Sequence, residues 1–224
     1  ATVVNDAGLN FAASTVRGNL AATATTGNMT DSGALAITGT TTLTTSANNA
    51  TIALDTRTNA FTGAVTITTN DDSGTDADAT IDGGTTALVL AASTIDGDLT
   101  VRSGNASGIT DSGTVTVGGN LAATATTGNM TDSGALAITG TTTLTTSANN
   151  ATIALDTTTN AFTGAVTITT NDNSGTDADV TIDGGTTALI LAASTIDGDL
   201  TVRSGNASGI IDRGTVTVGG NLAA

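Results

Sequence analysis

Apolar or small residues alternate with exposed-type residues in short phrases along this chain: Leu99-Thr-Val101, Leu121-Ala-Ala123, Leu144-Thr-Thr146 and Val166-Thr-Ile168. Alternation of this kind is the period-2 signature of a half-buried β-strand. The four phrases begin 22, 23 and 22 residues apart, and each follows a glycine (Gly97, Gly119, Gly140, Gly164) within four residues. The next interval, from Val166 to Leu200, is 34 residues, as if one unit carried roughly ten extra. A second series gives the same spacing. Asp6, Asp31, Asp55, Asp82, Asp111, Asp132, Asp156, Asp183 and Asp212 recur every 21 to 29 residues beside an aliphatic residue or Met, which implies about nine units.

A longer period contains the shorter one. Residues 18–123 match residues 119–224 at a shift of 101, with six differences: Arg57/Thr158, Asp72/Asn173, Ala79/Val180, Val89/Ile190, Thr110/Ile211 and Ser112/Arg213. The chain therefore reads as one domain, residues 1–224, built of tandem repeats at 18–118 and 119–219 with partial repeats at 1–17 and 220–224. Copies this similar leave no repeat specialised as a unique active site.

A unit of 22–25 residues with two or three short strands cannot cover its own apolar edge, but stacked units form a continuous core. The expectation is an all-β fold, a right-handed parallel β-helix of about nine coils. Leu20, Leu43, Val65, Leu99, Leu121, Leu144, Val166 and Leu200 should point inward, with Leu99, Leu121, Leu144 and Val166 stacked as one ladder. The extra residues have their own composition: Asn70-Asp-Asp-Ser-Gly-Thr-Asp-Ala-Asp78 and Asn171-Asp-Asn-Ser-Gly-Thr-Asp-Ala-Asp179 hold no large apolar side chain. They read as two acidic loops protruding from the same side, four coils apart.

Composition sharpens this. Glu, Lys, Gln, His, Cys, Pro, Trp and Tyr are absent, whereas threonine occurs 54 times. The strong helix formers are missing and the abundant residue is β-branched, so helical folds are excluded. Without His or Cys there is no disulfide, no zinc site of the usual ligands and no imidazole base. Twenty acidic residues against five basic ones give a net charge of -15, the opposite of a nucleic-acid footprint. No apolar run of membrane-spanning length is present, and no basic-then-apolar leader opens the chain, so neither membrane insertion nor a cleavable signal is expected within it.

The phrases Asn59-Ala-Phe-Thr-Gly-Ala-Val-Thr-Ile67, Gly97-Asp-Leu-Thr-Val101, Ile109-Thr-Asp-Ser-Gly113 and Gly119-Asn-Leu-Ala-Ala123 resemble the repeat regions of filamentous-haemagglutinin-like proteins, exoproteins secreted by Gram-negative bacteria through the two-partner route. The resemblance covers nearly the whole chain except the two acidic segments. It implies a β-helical shaft and an extracellular or cell-surface location. The family's secretion domain and its binding or toxin domains have no counterpart here. A cysteine-free chain suits that route, because it cannot be trapped by disulfides in an oxidising periplasm.

The candidate chemistry is sparse. Asp71, Asp72, Asp76 and Asp78, with Asp172, Asp177 and Asp179, could supply hard oxygen ligands to calcium; no other cofactor is implied. Their spacing departs from the EF-hand pattern and from calcium β-rolls, and a solvated acidic loop explains them equally. The recurring turn aspartates are expected to accept backbone N–H bonds from their own turns. Asp96/Asp98 and Asp197/Asp199 have the alternate spacing of a paired-carboxylate glycosidase, but near-perfect duplication and the lack of sugar-stacking aromatics argue against an enzyme. Thr23/Thr25, Thr66/Thr68 and Thr114/Thr116 suggest a threonine-faced, ice-binding sheet, a pattern that Leu99-Thr-Val101 and Thr40–Thr42 interrupt. The leading function is therefore the structural shaft of a large adhesin or fibre. Ice- or surface-binding through Thr and Asp faces is the alternative, and a carbohydrate-active enzyme comes third. Partners are neighbouring repeats of the same chain or copies stacked end to end into filaments.

Overall fold

The computed structural model describes residues 1–70, 77–171 and 177–224. Among them lie 30 short strands and no helix, and the strands that pair do so in parallel. Three strands make one coil, so the chain forms a β-solenoid of ten coils rather than nine.

Strand formation follows the alternation. Leu20–Ala24, Leu99–Ser103 and Leu121–Ala125 bury every second residue. All eight residues expected to face inward do so, from fully buried Val65 and Leu99 to Leu121 at 5% exposure. Phe61 and Phe162 are also fully buried. Each aliphatic side chain removed from water contributes about 1.5–3 kcal/mol. It finds cover only from the coils before and after it.

One expected ladder is corrected by the register. Leu99 lies beside Leu121, Leu121 beside Thr142, and Thr142 beside Val166. Leu144 instead continues Val101 and Ala123 toward Ile168. The shift is two residues, so Leu144 still faces inward. The strand begins at Thr142, a buried threonine whose Oγ1 has no hydrogen-bond partner, as is also true of its copy Thr41. A polar residue at a core position hid the true start of the strand.

The faces of the solenoid are not permanent properties of the repeat. One face stacks Thr2–Asn5, Leu20–Ala24, Thr41–Thr45 and Val65–Thr68. The second stacks Leu9–Phe11, Met29–Asp31, Ile52–Leu54, Ala79–Asp82 and Leu99–Ser103, continuing to Val166–Thr169. The third stacks Ser14–Val16, Leu35–Ile37 and Ala60–Phe61. Above Val65–Thr68 the sheet branches. Val65 pairs with Leu90 of Leu88–Leu90, and Thr68 pairs with Thr94 of Ser93–Ile95. The same branch recurs 101 residues later, where Val166 pairs with Leu191 and Thr169 with Thr195.

The residues between Val65 and Leu99 thus supply an additional strand, not only a loop. Each 101-residue repeat carries thirteen strands, from Leu20–Ala24 to Val115–Val117 and from Leu121–Ala125 to Val216–Val218. Thirteen strands are four coils and one strand, so each repeat begins a third of a coil further round. Leu20–Ala24 opens on the first face, Leu121–Ala125 on the second, and Leu222–Ala223 on the row running through Leu88–Leu90.

This corrects the expected placement of the acidic connections. Residues 69–78 join the first face to the second, whereas residues 170–179 join the second face to the row of Ile153–Leu155. The two connections therefore lie at different corners, not on one side. Whether they protrude concerns residues 71–76 and 172–176, outside the described residues.

Candidate functional site

The most regular polar feature is a ladder at the corner that precedes each long strand. Asp78 Oδ1 accepts the Asp98 N–H at 2.8 Å, and Asp98 Oδ1 accepts the Asn120 N–H at 2.6 Å and its Nδ2 at 3.0 Å. Asn120 Oδ1 in turn accepts the Thr141 N–H and hydroxyl, both at 2.8 Å. The second repeat builds it again from Asp179, Asp199 and Asn221. The preceding glycine is required by close approach: a Cβ on Gly119 would collide with Asp98 Oδ1. This explains the recurring Gly-Asp/Asn-Leu phrase in structural terms.

The candidate calcium ligands separate accordingly. Asp71, Asp72, Asp76 and Asp172 lie outside the described residues. Asp78 and Asp179 are exposed, and each uses a carboxylate oxygen on the next coil's backbone. Asp177 is exposed and also engaged. Among the described residues no three acidic, His or Cys side chains converge in a way that could hold a metal ion. Of the paired carboxylates, Asp96 is buried while Asp98 is committed to the ladder.

The turn aspartates follow two patterns. Asp82, Asp183 and Asp212 accept the N–H two residues on, from Gly84 and Gly185 at 2.7 Å and Gly214 at 3.0 Å, as expected. Asp111 and Asp132 instead bond the coil above. Asp111 Oδ1 accepts the Ser133 N–H at 2.8 Å, and Asp132 accepts from the backbone of Asp156 and Thr157 and from Asn160 Nδ2. Asp111 is buried beside apolar side chains. Burial pushes its carboxyl above the ordinary carboxylate range, against the opposing pull of the Ser133 and Gly134 amides.

Sequence reasoning missed two interior asparagines. Asn59 is buried; its Oδ1 accepts the Leu35 N–H at 2.8 Å, and its Nδ2 donates to Asp31 Oδ2 at 2.6 Å and to the Leu54 carbonyl at 3.2 Å. Asn160 repeats this with Leu136, Asp132 and Leu155. The signal available was an asparagine just before Ala-Phe, the one aromatic phrase of each repeat.

The outer faces carry longer threonine columns than the sequence suggested. Thr23, Thr44, Thr68, Thr94 and Thr116 are register partners through five successive coils, ending against Ala137. Thr124, Thr145, Thr169, Thr195 and Thr217 repeat the column on another face. The branch above Val65–Thr68 is what brings Thr94 into line, and residue spacing alone does not reveal it.

The family model described as repeats of unknown function (DUF5649) matches residues 1–68, 76–125, 110–169 and 177–224, that is, all of the chain except short stretches within the two acidic connections. Neither a curated protein nor a solved structure matches the chain.

Proposed function

The chain belongs to this family of repeats of unknown function, and we propose that it serves as a segment of the rigid shaft of a large secreted or cell-surface bacterial fibre. The observation that carries this reading is the junction between repeats. Leu99–Ser103 of the first repeat pairs with Leu121–Ala125 of the second over five residues, as Leu20–Ala24 pairs with Thr41–Thr45 inside a repeat. Adding a repeat therefore lengthens the rod without a joint. Each repeat adds four and a third coils, about 21 Å at ~4.8 Å per coil. A net charge of -15 keeps neighbouring rods apart. The resemblance to filamentous-haemagglutinin-like repeats supports a role as the stalk of an adhesin, holding a distal domain away from the cell.

Solution X-ray scattering on chains with two, three and four repeats tests the shaft. The expected result is a constant cross-section and a length rising by about 21 Å per repeat. Length that fails to rise, or a cross-section that widens, would refute the rod.

The threonine columns favour a second reading, binding of an ordered water lattice such as ice. Thr68, Thr94 and Thr116 are exposed and follow one another at single-coil intervals. Thermal hysteresis measured on the purified chain decides it: hysteresis abolished by Thr94→Val supports ice binding, and its absence leaves the shaft.

A further inference from the structure

Two of the five arginines line one cleft. Arg57, Asp82, Gly84, Thr85, Arg102 and Gly104 line an opening of about 210 Å³ between successive coils. Arg57 follows Ile52–Leu54, Asp82 ends Ala79–Asp82, and Arg102 lies in Leu99–Ser103 as the register partner of Asp82. The floor is backbone: the Gly104 N–H donates to the Gly84 carbonyl at 2.7 Å, and neither residue has a side chain to fill the space.

Asp82 is already committed. Its Oδ1 accepts the Gly84 N–H at 2.7 Å, and its Oδ2 lies 3.5 Å from Arg102 Nε, the only ion pair among the described residues. Arg57 is exposed and has no acidic partner among them. The residues that line the cleft thus include two arginines against one aspartate, a formal charge of +1 on a chain of net -15. A single negative charge balances it, and the chain's net negative charge penalises a doubly charged ligand more. Guanidinium groups recognise planar carboxylates through paired N–H donors.

We propose that this cleft binds a carboxylate, with Arg57 and Arg102 as its two cationic donors. The carboxylate is either that of a free small organic acid or one carried by a second copy of the chain. The second repeat provides a built-in control. There Thr158 replaces Arg57, so Asp183 and Arg203 cancel and no surplus positive charge remains.

The test is an NMR titration of the whole chain with acetate, following the arginine Nε–Hε signals, with sodium chloride and sodium sulfate in parallel. The expected result is a saturable shift at Arg57 and Arg102 with acetate, and none at Arg203. Arg57→Thr keeps the fold, because Thr occupies that position in the second repeat. It should weaken acetate binding by about tenfold or more, the effect of one lost charge-assisted hydrogen bond. Thr158→Arg should create a second saturable site at Arg203. Shifts at Arg57 and Arg102 that appear on raising protein concentration without acetate assign the carboxylate to a second copy. Equal response at Arg203, shifts no different from those with chloride, unchanged binding in Arg57→Thr, or tighter binding of sulfate than acetate would each overturn the proposal.

Discussion

Residues 109–117 and 210–218 occupy the same place in successive repeats, differing only at Thr110/Ile211 and Ser112/Arg213, yet their surroundings differ. Val115 and Val117 are fully buried, whereas Val216 and Val218 are only partly so. Leu121 is 5% exposed and its copy Leu222 is 62% exposed. The valines and leucines compared are identical in the two copies; within these 224 residues the difference is the coil stacked above. Burial in this fold is therefore supplied by neighbours, and stability is close to a sum of coil-to-coil interfaces. The polar groups obey the same rule. Asp111 bonds the amides of Ser133 and Gly134 in the next coil, while Asp212 turns back to its own Gly214.

Substituting aspartate at the two leucines gives the widest contrast. Leu121→Asp places an unpaired charge among apolar rungs and should cost about 3–5 kcal/mol or abolish folding, whereas Leu222→Asp should stay within about 0.5 kcal/mol. Urea melts of the two variants check this, and equal losses would show that burial is not set by stacking. A second pair separates close approach from backbone strain. Gly108 and Gly209 have φ of 69° and 64°, a left-handed conformation that L-residues adopt reluctantly. A Cβ on Gly108 would collide with the Asn129 carbonyl, while one on Gly209 meets nothing within 4 Å. Gly209→Ala should cost about 1–2 kcal/mol, from the backbone alone, and Gly108→Ala distinctly more. Similar costs would mean that the coil above Gly108 yields easily.

Much of the fold was legible because its code is short-range. Period-2 alternation fixed which side chains face inward, and that survived even where the register shifted by two, since a two-residue shift keeps the face. What was not legible is long-range. Thr142 holds a core position with a polar side chain, so the strand start was misplaced. The stretch from Leu88 to Ile95 holds two strands stacked on one, so residue spacing counts one coil too few and places the two acidic connections on one side. Pairing across 25 residues decides these points, and composition does not encode it. The Gly-Asp/Asn-Leu corner was visible as a phrase, but its meaning, a carboxylate or amide beneath the next coil's glycine, needed the register. The cleft with Arg57 was hidden for the same reason: its two arginines lie 45 residues apart in sequence and line one opening only through the stacking of coils around Asp82.

The smallest expected effect concerns Asp111 and its copy. Asp111 is buried, its Oδ2 has no hydrogen-bond partner, and it lines a small apolar cavity with Leu90, Ile109, Leu121 and Met130. Loss of hydration raises its carboxyl above the ordinary value of 3.8, and the neighbouring charge of Asp132 adds to this. A carboxyl raised in the folded state binds its proton more tightly there than in the unfolded chain. Its contribution is therefore most favourable below the unfolded value and is lost as pH rises through the folded one. Asp111→Asn keeps an acceptor for Ser133 and Gly134 but carries no charge. Relative to the parent chain, its stability should improve as pH rises through that window and then level off. Asp212 is exposed, so Asp212→Asn should change stability by no more than about 0.5 kcal/mol at neutral pH. Melting curves of the three chains between acid and neutral pH measure the difference. A parallel offset of Asp111→Asn at all pH values would mean that its ionisation does not differ between the folded and unfolded chain. The stacked coil would then supply hydrogen bonds to this carboxylate without withholding water from it.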